Sequence, residues 1–166
     1  MATHRNSWKN RERKIAAFFG TKRTPLSGGN SGHTRSDTLH PKLFVEVKMR
    51  QHHPVLDLWF EAKKLAMAGD WPVPPIAMLV ERETNDSWVL WHSASTMKMP
   101  DPMSTWVYTV IRKSFAVTNL WKVTAVLAER EDKIPLVALV EKGKAGFWLL
   151  CSLPQYIETI RFIKEM

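Results

Sequence analysis

Asp37, Glu46 and Lys48 are the side chains of this 166-residue chain whose types and spacing could do chemistry. Glu46 and Lys48 lie within the apolar run Leu43 to Met49. In a β-strand, successive side chains alternate between faces, so these two share one face while Val45, Val47 and Met49 take the other. Asp37 precedes a turn expected at His40-Pro41-Lys42, short enough to return a neighbouring strand antiparallel and set its carboxylate beside Glu46. Two carboxylates and an ammonium then converge on one patch. Such a patch suits phosphodiester hydrolysis, which needs hard oxygen ligands for Mg²⁺ and a cation near the attacking water. The two carboxylates and the Val47 carbonyl make a sufficient ligand set, since Mg²⁺ keeps several of its waters.

Acid-x-Lys spacing alone proves little. With 16 acids and 14 lysines, about one occurrence is expected by chance. The chain holds four: Glu12/Lys14, Glu46/Lys48, Glu61/Lys63 and Glu131/Lys133. Three of them read as helix surface or loop, where a charged pair is a solvated face. Only Glu46/Lys48 sits in an alternating apolar strand with an acid upstream, after a glycine-rich loop. The bland alternative is an edge strand carrying charge against aggregation.

The elements that must position this cluster come next. Residues 7–19 read as a helix capped by Ser7, with Ile15, Ala16, Phe18 and Phe19 as its apolar face. Residues 20–36 form a basic loop with four of the seven glycines and a short strand at 22–26. Strands near 35–39 and 43–50 follow, then a helix from Val55 to Ala68 and strands at 76–82 and 87–92. His52-His53 falls in a polar turn. A final helix covers Gln155 to Lys164.

The second half repeats the first. At an offset of 62, Trp106 to Arg112 lies on Phe44 to Arg50, and Val117 to Trp121 on Val55 to Trp59. At an offset of 60, Leu139-Val140-Glu141 lies on Leu79-Val80-Glu81, and Trp148 on Trp88. This predicts a duplicated strand-helix-strand-strand unit. Tyr108 and Val110 replace Glu46 and Lys48, so the copy is degenerate. The expected organisation is a core over residues 1–92, with its basic N-terminal segment, and a second unit over 93–166 packed on the same domain.

Charge is distributed unevenly. The net charge is +8, of which +7 falls in residues 1–36. A positive field confined to the segment leading into the carboxylates suits a polyanion. Arg5, Lys9, Arg11, Arg13, Lys22, Arg23, His33, Arg35 and Arg50 are the candidate DNA contacts. Cys151 is the single cysteine, reads as a small core residue, and suits a reducing compartment. The N-terminal residues are polar and basic, and no apolar stretch reaches membrane-spanning length, so a cytoplasmic protein with no membrane partner is expected. The histidines and the cysteine show no zinc-ligand spacing.

Together these residues resemble the PD-(D/E)XK nuclease superfamily, and within it the archaeal-type Holliday junction resolvases and related phage nucleases. The resemblance covers residues 5–92, through Glu12 next to Arg13, the stretch Arg23-Thr24-Pro25-Leu26-Ser27-Gly28-Gly29, Asp37, and Glu46-Val47-Lys48. It implies a restriction-endonuclease-like α/β core, a central mixed sheet flanked by helices. It further implies that Glu12, Asp37 and Glu46 surround Mg²⁺, with Mn²⁺ substituting, that Lys48 serves the attacking water, and that Ser27 positions the scissile strand. Ser36 precedes Asp37 where that family often has proline. The activity implied is hydrolysis of branched DNA in recombination and repair by a homodimer, in a prokaryotic or phage-infected cell. A nuclease or nickase without junction preference, and a non-catalytic DNA-binding module, are the alternatives.

Overall fold

The computed structural model describes residues 4–25 and 34–165, with the side chains of residues 4–6 excluded. Its elements are α1 (His4–Phe18), β1 (Leu43–Arg50), α2 (Leu56–Ala68), β2 (Ala77–Glu81), β3 (Ser87–His92), β4 (Tyr108–Arg112), α3 (Ala116–Arg130), β5 (Ile134–Glu141), β6 (Trp148–Ser152) and α4 (Leu153–Lys164). A 3₁₀ segment, Ser93–Lys98, leaves β3. The strands form one mixed sheet in the order β1-β5-β6-β3-β2-β4. The outer pairs β1–β5 and β2–β4 are parallel, and the inner ones antiparallel.

Both faces of this sheet are covered, which is why its strands read as near-continuous apolar runs. Alternate residues divide cleanly. Val45, Val47, Leu136, Ala138, Val89, Trp91 and Leu149 pack with Ile15 of α1, with Phe19 just after it, and with Tyr156, Ile160 and Ile163 of α4. Val137, Leu139, Trp88, Leu90 and Trp148 pack on the opposite face with Leu56, Trp59 and Ala62 of α2 and Leu120 and Trp121 of α3. Cys151 is fully buried in the first of these clusters. The protein is a three-layer α/β structure with an open sheet. No helix among the described residues is long and apolar enough to cross a membrane.

The ladder registers repeat. Glu46 faces Val137 and Arg50 faces Glu141, while Tyr108 faces Ala77 and Arg112 faces Glu81. Each outer residue thus meets the same inner position, 62 and 60 residues on. Leu90 faces Leu150 across the central pair, which places a pseudo-two-fold axis there. The first strand of each half pairs with the third element of the other half, so the two halves interleave through exchanged strands. Aromatic packing follows the same symmetry: Trp59 meets Trp148 at 5.7 Å and 74°, and Trp121 meets Trp88 at 5.9 Å and 72°.

Several local expectations are corrected. The strands expected at 22–26 and 35–39 reduce to a single bridge between Arg23 and Thr38, because side chains rather than a neighbouring strand occupy the edge of β1. Helix α1 begins at His4, so Ser7 is interior and not a cap. His53 is buried rather than set in a polar turn. Its Nε2 lies 3.1 Å from the Lys48 carbonyl and 3.0 Å from that of Val140, and these contacts compensate its burial.

Candidate functional site at the outer edge of β1

β1 is an edge strand, and its outer polar groups are met by the side chains of Ser36 and Asp37 and by the Asp37 main chain. The Ser36 hydroxyl accepts from the Val45 N–H at 2.9 Å and donates to the Val45 carbonyl at 3.3 Å. The Asp37 N–H donates to that carbonyl at 2.9 Å. The Asp37 carboxylate then accepts the Val47 N–H at 2.7 Å. In an extended strand the N–H and C=O of one residue point to the same side, so the Val47 carbonyl also faces the edge where Asp37 stands. Ser36 therefore has a clear role: its hydroxyl clamps the strand. His40 completes the entry, its Nδ1 accepting from the N–H groups of Lys42 at 3.0 Å and Leu43 at 2.9 Å.

Glu46 and Lys48 share the α2/α3 side of β1, with Lys48 Nζ 3.1 Å from Glu46 Oε1. Both are half-buried. Asp37 is 8% exposed. Burial, and then the charge of Glu46, push its carboxyl up to about 7, against the opposing Val47 N–H and the Lys48 ammonium. This is the behaviour of carboxylates that crowd one poorly solvated spot.

Glu12 departs from the solvated-face reading of its spacing. It is fully buried, on the stripe of α1 that carries Ile15, Ala16 and Phe19, three, four and seven residues on. Its Oε2 accepts from Arg23 Nε, and its Oε1 has no partner. Burial raises its pKa most, Arg23 opposes this, and Glu46 adds to it. Arg23 lies over the Trp8 ring at 5.7 Å and its side chain is only 16% exposed. It is thus a counterion for Glu12 rather than a free DNA contact. The loop entering the site is anchored from α3, where Glu131 accepts from the Thr34 hydroxyl and, at 3.1 Å, from the Arg35 N–H.

Of the residues expected at the site, Glu12, Asp37, Glu46, Val47 and Lys48 surround this edge. Ser27 and His33 lie outside the described residues, as does the Arg5 side chain. Arg13 and Lys22 are exposed, and Lys9 and Arg11 half-buried, with Arg11 donating to the Lys144 carbonyl at 3.0 Å. Arg35 and Arg50 are exposed. Among the described residues, no three His, Cys, Asp or Glu side chains stand close enough to hold one ion. Asp37, Glu46 and the outward-facing Val47 carbonyl are the oxygen atoms that could serve a cation at this edge, whereas Glu12 is paired with Arg23. Sequence reasoning missed Ser36 and the Glu12–Arg23 pair. The carboxylate within an apolar helical stripe was the available signal for the latter.

Fold and site together define a three-layer α/β protein with a carboxylate–lysine cluster at one sheet edge. No family model matches the chain, and no curated protein or solved structure matches it.

Proposed function

We propose that the protein is a Mg²⁺-dependent, structure-selective DNA endonuclease that cuts four-way junctions by phosphodiester hydrolysis as a homodimer. The observation that carries the reading is the meeting of Asp37, Glu46 and Lys48 at the outer edge of β1. The donors fit Mg²⁺ or Mn²⁺: oxygen atoms only, with an Asp37 carboxyl raised first by burial and then by the charge of Glu46, both of which a bound dication would offset. Asp37, Glu46 and the Val47 carbonyl would hold the ion. When bound, the ion supplies charge neutralisation at the phosphate and a more acidic water.

The chain's own groups do the rest. Lys48, placed by Glu46, orients the attacking water and offsets charge building on the phosphate. Ser36 and the Val47 N–H fix Asp37, so the carboxylate is preorganised. Lys9, Arg11, Arg13, Lys22 and Arg35 supply a basic approach for the DNA backbone. The junction preference rests on the resemblance to junction resolvases. The dimer rests on symmetry, since a two-fold junction needs paired incisions and each chain carries one such cluster.

The test is incubation with labelled four-way junction, duplex and single strand, with Mg²⁺ or EDTA. Paired, Mg²⁺-dependent incisions in the junction are expected, by a particle that scatters light as twice the chain mass. No cleavage of any substrate would overturn the nuclease reading, equal cleavage of duplex would remove junction preference, and a single-chain mass would remove the dimer.

A further inference from the structure

Arg50 and Arg112 end β1 and β4 and are equivalent under the pseudo-two-fold. Both line one cavity of about 330 Å³, on the side of the sheet that carries Leu139. The cavity straddles the axis, because Val55 and Val117, and Pro54 and Ala116, are further equivalent pairs in its wall. Neither arginine has a carboxylate partner among the described residues, although each faces a glutamate across its ladder.

Those glutamates are already engaged. Glu141 accepts the His53 N–H at 2.7 Å and pairs with His52 at 2.9 Å and Lys144 at 2.8 Å. Glu81 pairs with Lys122 at 2.9 Å and accepts the Thr118 hydroxyl at 3.1 Å. Two arginines therefore line one cavity in whose wall no carboxylate stands. Planar, always-charged forks of this kind match the oxygens of a phosphate. Arg112 is held over the Phe115 ring at 5.6 Å, which reduces the freedom it loses on binding. Ala116 and Val117 add the start of α3, a helix with no capping side chain and no acid in its first turn.

We propose that this cavity is an oxyanion site that takes a phosphate group through Arg50 and Arg112. The source of the phosphate rests on the nuclease reading. Arg50 lies on the strand face of Glu46 and Lys48, two residues past Lys48, so a backbone phosphodiester next to the cleaved one is the group presented. A free phosphate-bearing small molecule presents the same chemistry.

The test follows the Arg Nε–H NMR signals in EDTA, with pyrophosphate and with a short DNA duplex as separate probes. Pyrophosphate should shift both arginines in the wild-type protein and bind at least about tenfold more weakly to Arg112→Gln, as expected for a lost charge-assisted fork. Each of Arg50→Gln and Arg112→Gln should lower the log–log salt slope of DNA binding by about one unit, whereas Arg130→Gln should leave it unchanged. Pyrophosphate shifts with a wild-type slope in both variants would keep the site and assign it to a small molecule. If pyrophosphate shifts neither arginine, the site is overturned even when the protein cleaves DNA. Absence of cleavage with intact pyrophosphate binding would overturn only the nuclease reading.

Discussion

The two outer strands of the sheet occupy equivalent places and are treated differently. β1 is buried over most of its length, and its free edge is clamped by Ser36 and Asp37. β4 is half-buried at Tyr108 and Val110 and exposed at Thr109, Ile111 and Arg112, and among the described residues nothing pairs with its outer edge. The strands have the same register to their inner partners. The difference lies outside the strands, in α1 and residues 34–42, which among the described residues have no counterpart beside β4. On the proposed function, an active edge in this fold is a strand plus a cover: the strand displays an acid and a lysine, and the cover brings a second, buried acid.

The largest test of that contrast is catalytic. Asp37→Asn or Glu46→Gln should lower junction cleavage by at least about a hundredfold, the scale for losing a preorganised electrostatic partner, while DNA binding persists. Tyr108→Phe and Val110→Ala, at the equivalent positions of β4, should leave the rate unchanged. A carboxylate variant with near wild-type cleavage in Mg²⁺ would reject the assignment of β1 as the active edge.

Stability should follow the same division. Arg23→Met leaves Glu12 buried without its counterion, at a cost of about 3 kcal/mol in urea unfolding. Lys122→Met removes the partner of Glu81, but that lysine is 48% exposed, and the loss should stay under about 1 kcal/mol. Equal losses would show that the cover of β1 is no more buried, energetically, than the open side.

The pH dependence should also separate the outer edge of β1 from the glutamates of the inner strands, by sign. The Asp37 carboxyl, at about 7, lies above its ordinary 3.8, so the folded chain holds this proton more tightly than the unfolded one. Its contribution to stability falls as pH rises from about 4 to about 7. Asp37→Asn should therefore gain on the wild type between pH 5 and pH 8 in EDTA, by a few kcal/mol at about 1.4 per pH unit. Mg²⁺ should close the gap by stabilising only the wild type. Glu81 and Glu141 behave oppositely. Burial acts to raise them, but Lys122 and Thr118 on one, and Lys144 and the His53 N–H on the other, hold both below 4.5. Their stabilisation is present at neutral pH and is lost as pH falls below that value. Parallel pH profiles for Asp37→Asn and the wild type would remove the crowding of carboxylates from the account.

What could be read in the sequence was local. Period-two alternation fixed β1 and put Glu46 and Lys48 on one face, and the matched Arg and Trp positions matched equivalent places in the sheet. Three things depended on partners distant in the chain. Glu12 looked like a helix-surface acid because its spacing to Lys14 is ordinary, and only packing of the Ile15 and Phe19 stripe against the sheet buries it. Arg23 was counted as a DNA contact because a counterion eleven residues away is not visible to composition. The strand exchange that places β1 beside β5 arises from ladder pairing, which alternation within one strand does not encode.

The smallest expected effect is also the strictest test of strand plus cover. The double substitution Tyr108→Glu and Val110→Lys copies the acid-x-lysine pair of β1 onto β4. Both positions are half-buried and pack against the α2/α3 cluster, in a strand whose outer edge is open, so stability should fall by about 1–3 kcal/mol from lost apolar burial, while the effect on cleavage is nil. A Glu–Lys pair in that setting is a partly exposed ion pair. Among the described residues it has no acid in the place of Asp37 and no counterpart of α1 bringing a second carboxylate. The variant should therefore bind no additional Mg²⁺ by calorimetry, and should still lose all cleavage when Asp37→Asn is added. Cleavage that survives Asp37→Asn in this background would mean that the strand pair alone suffices, and that Ser36, Asp37 and α1 only decorate it.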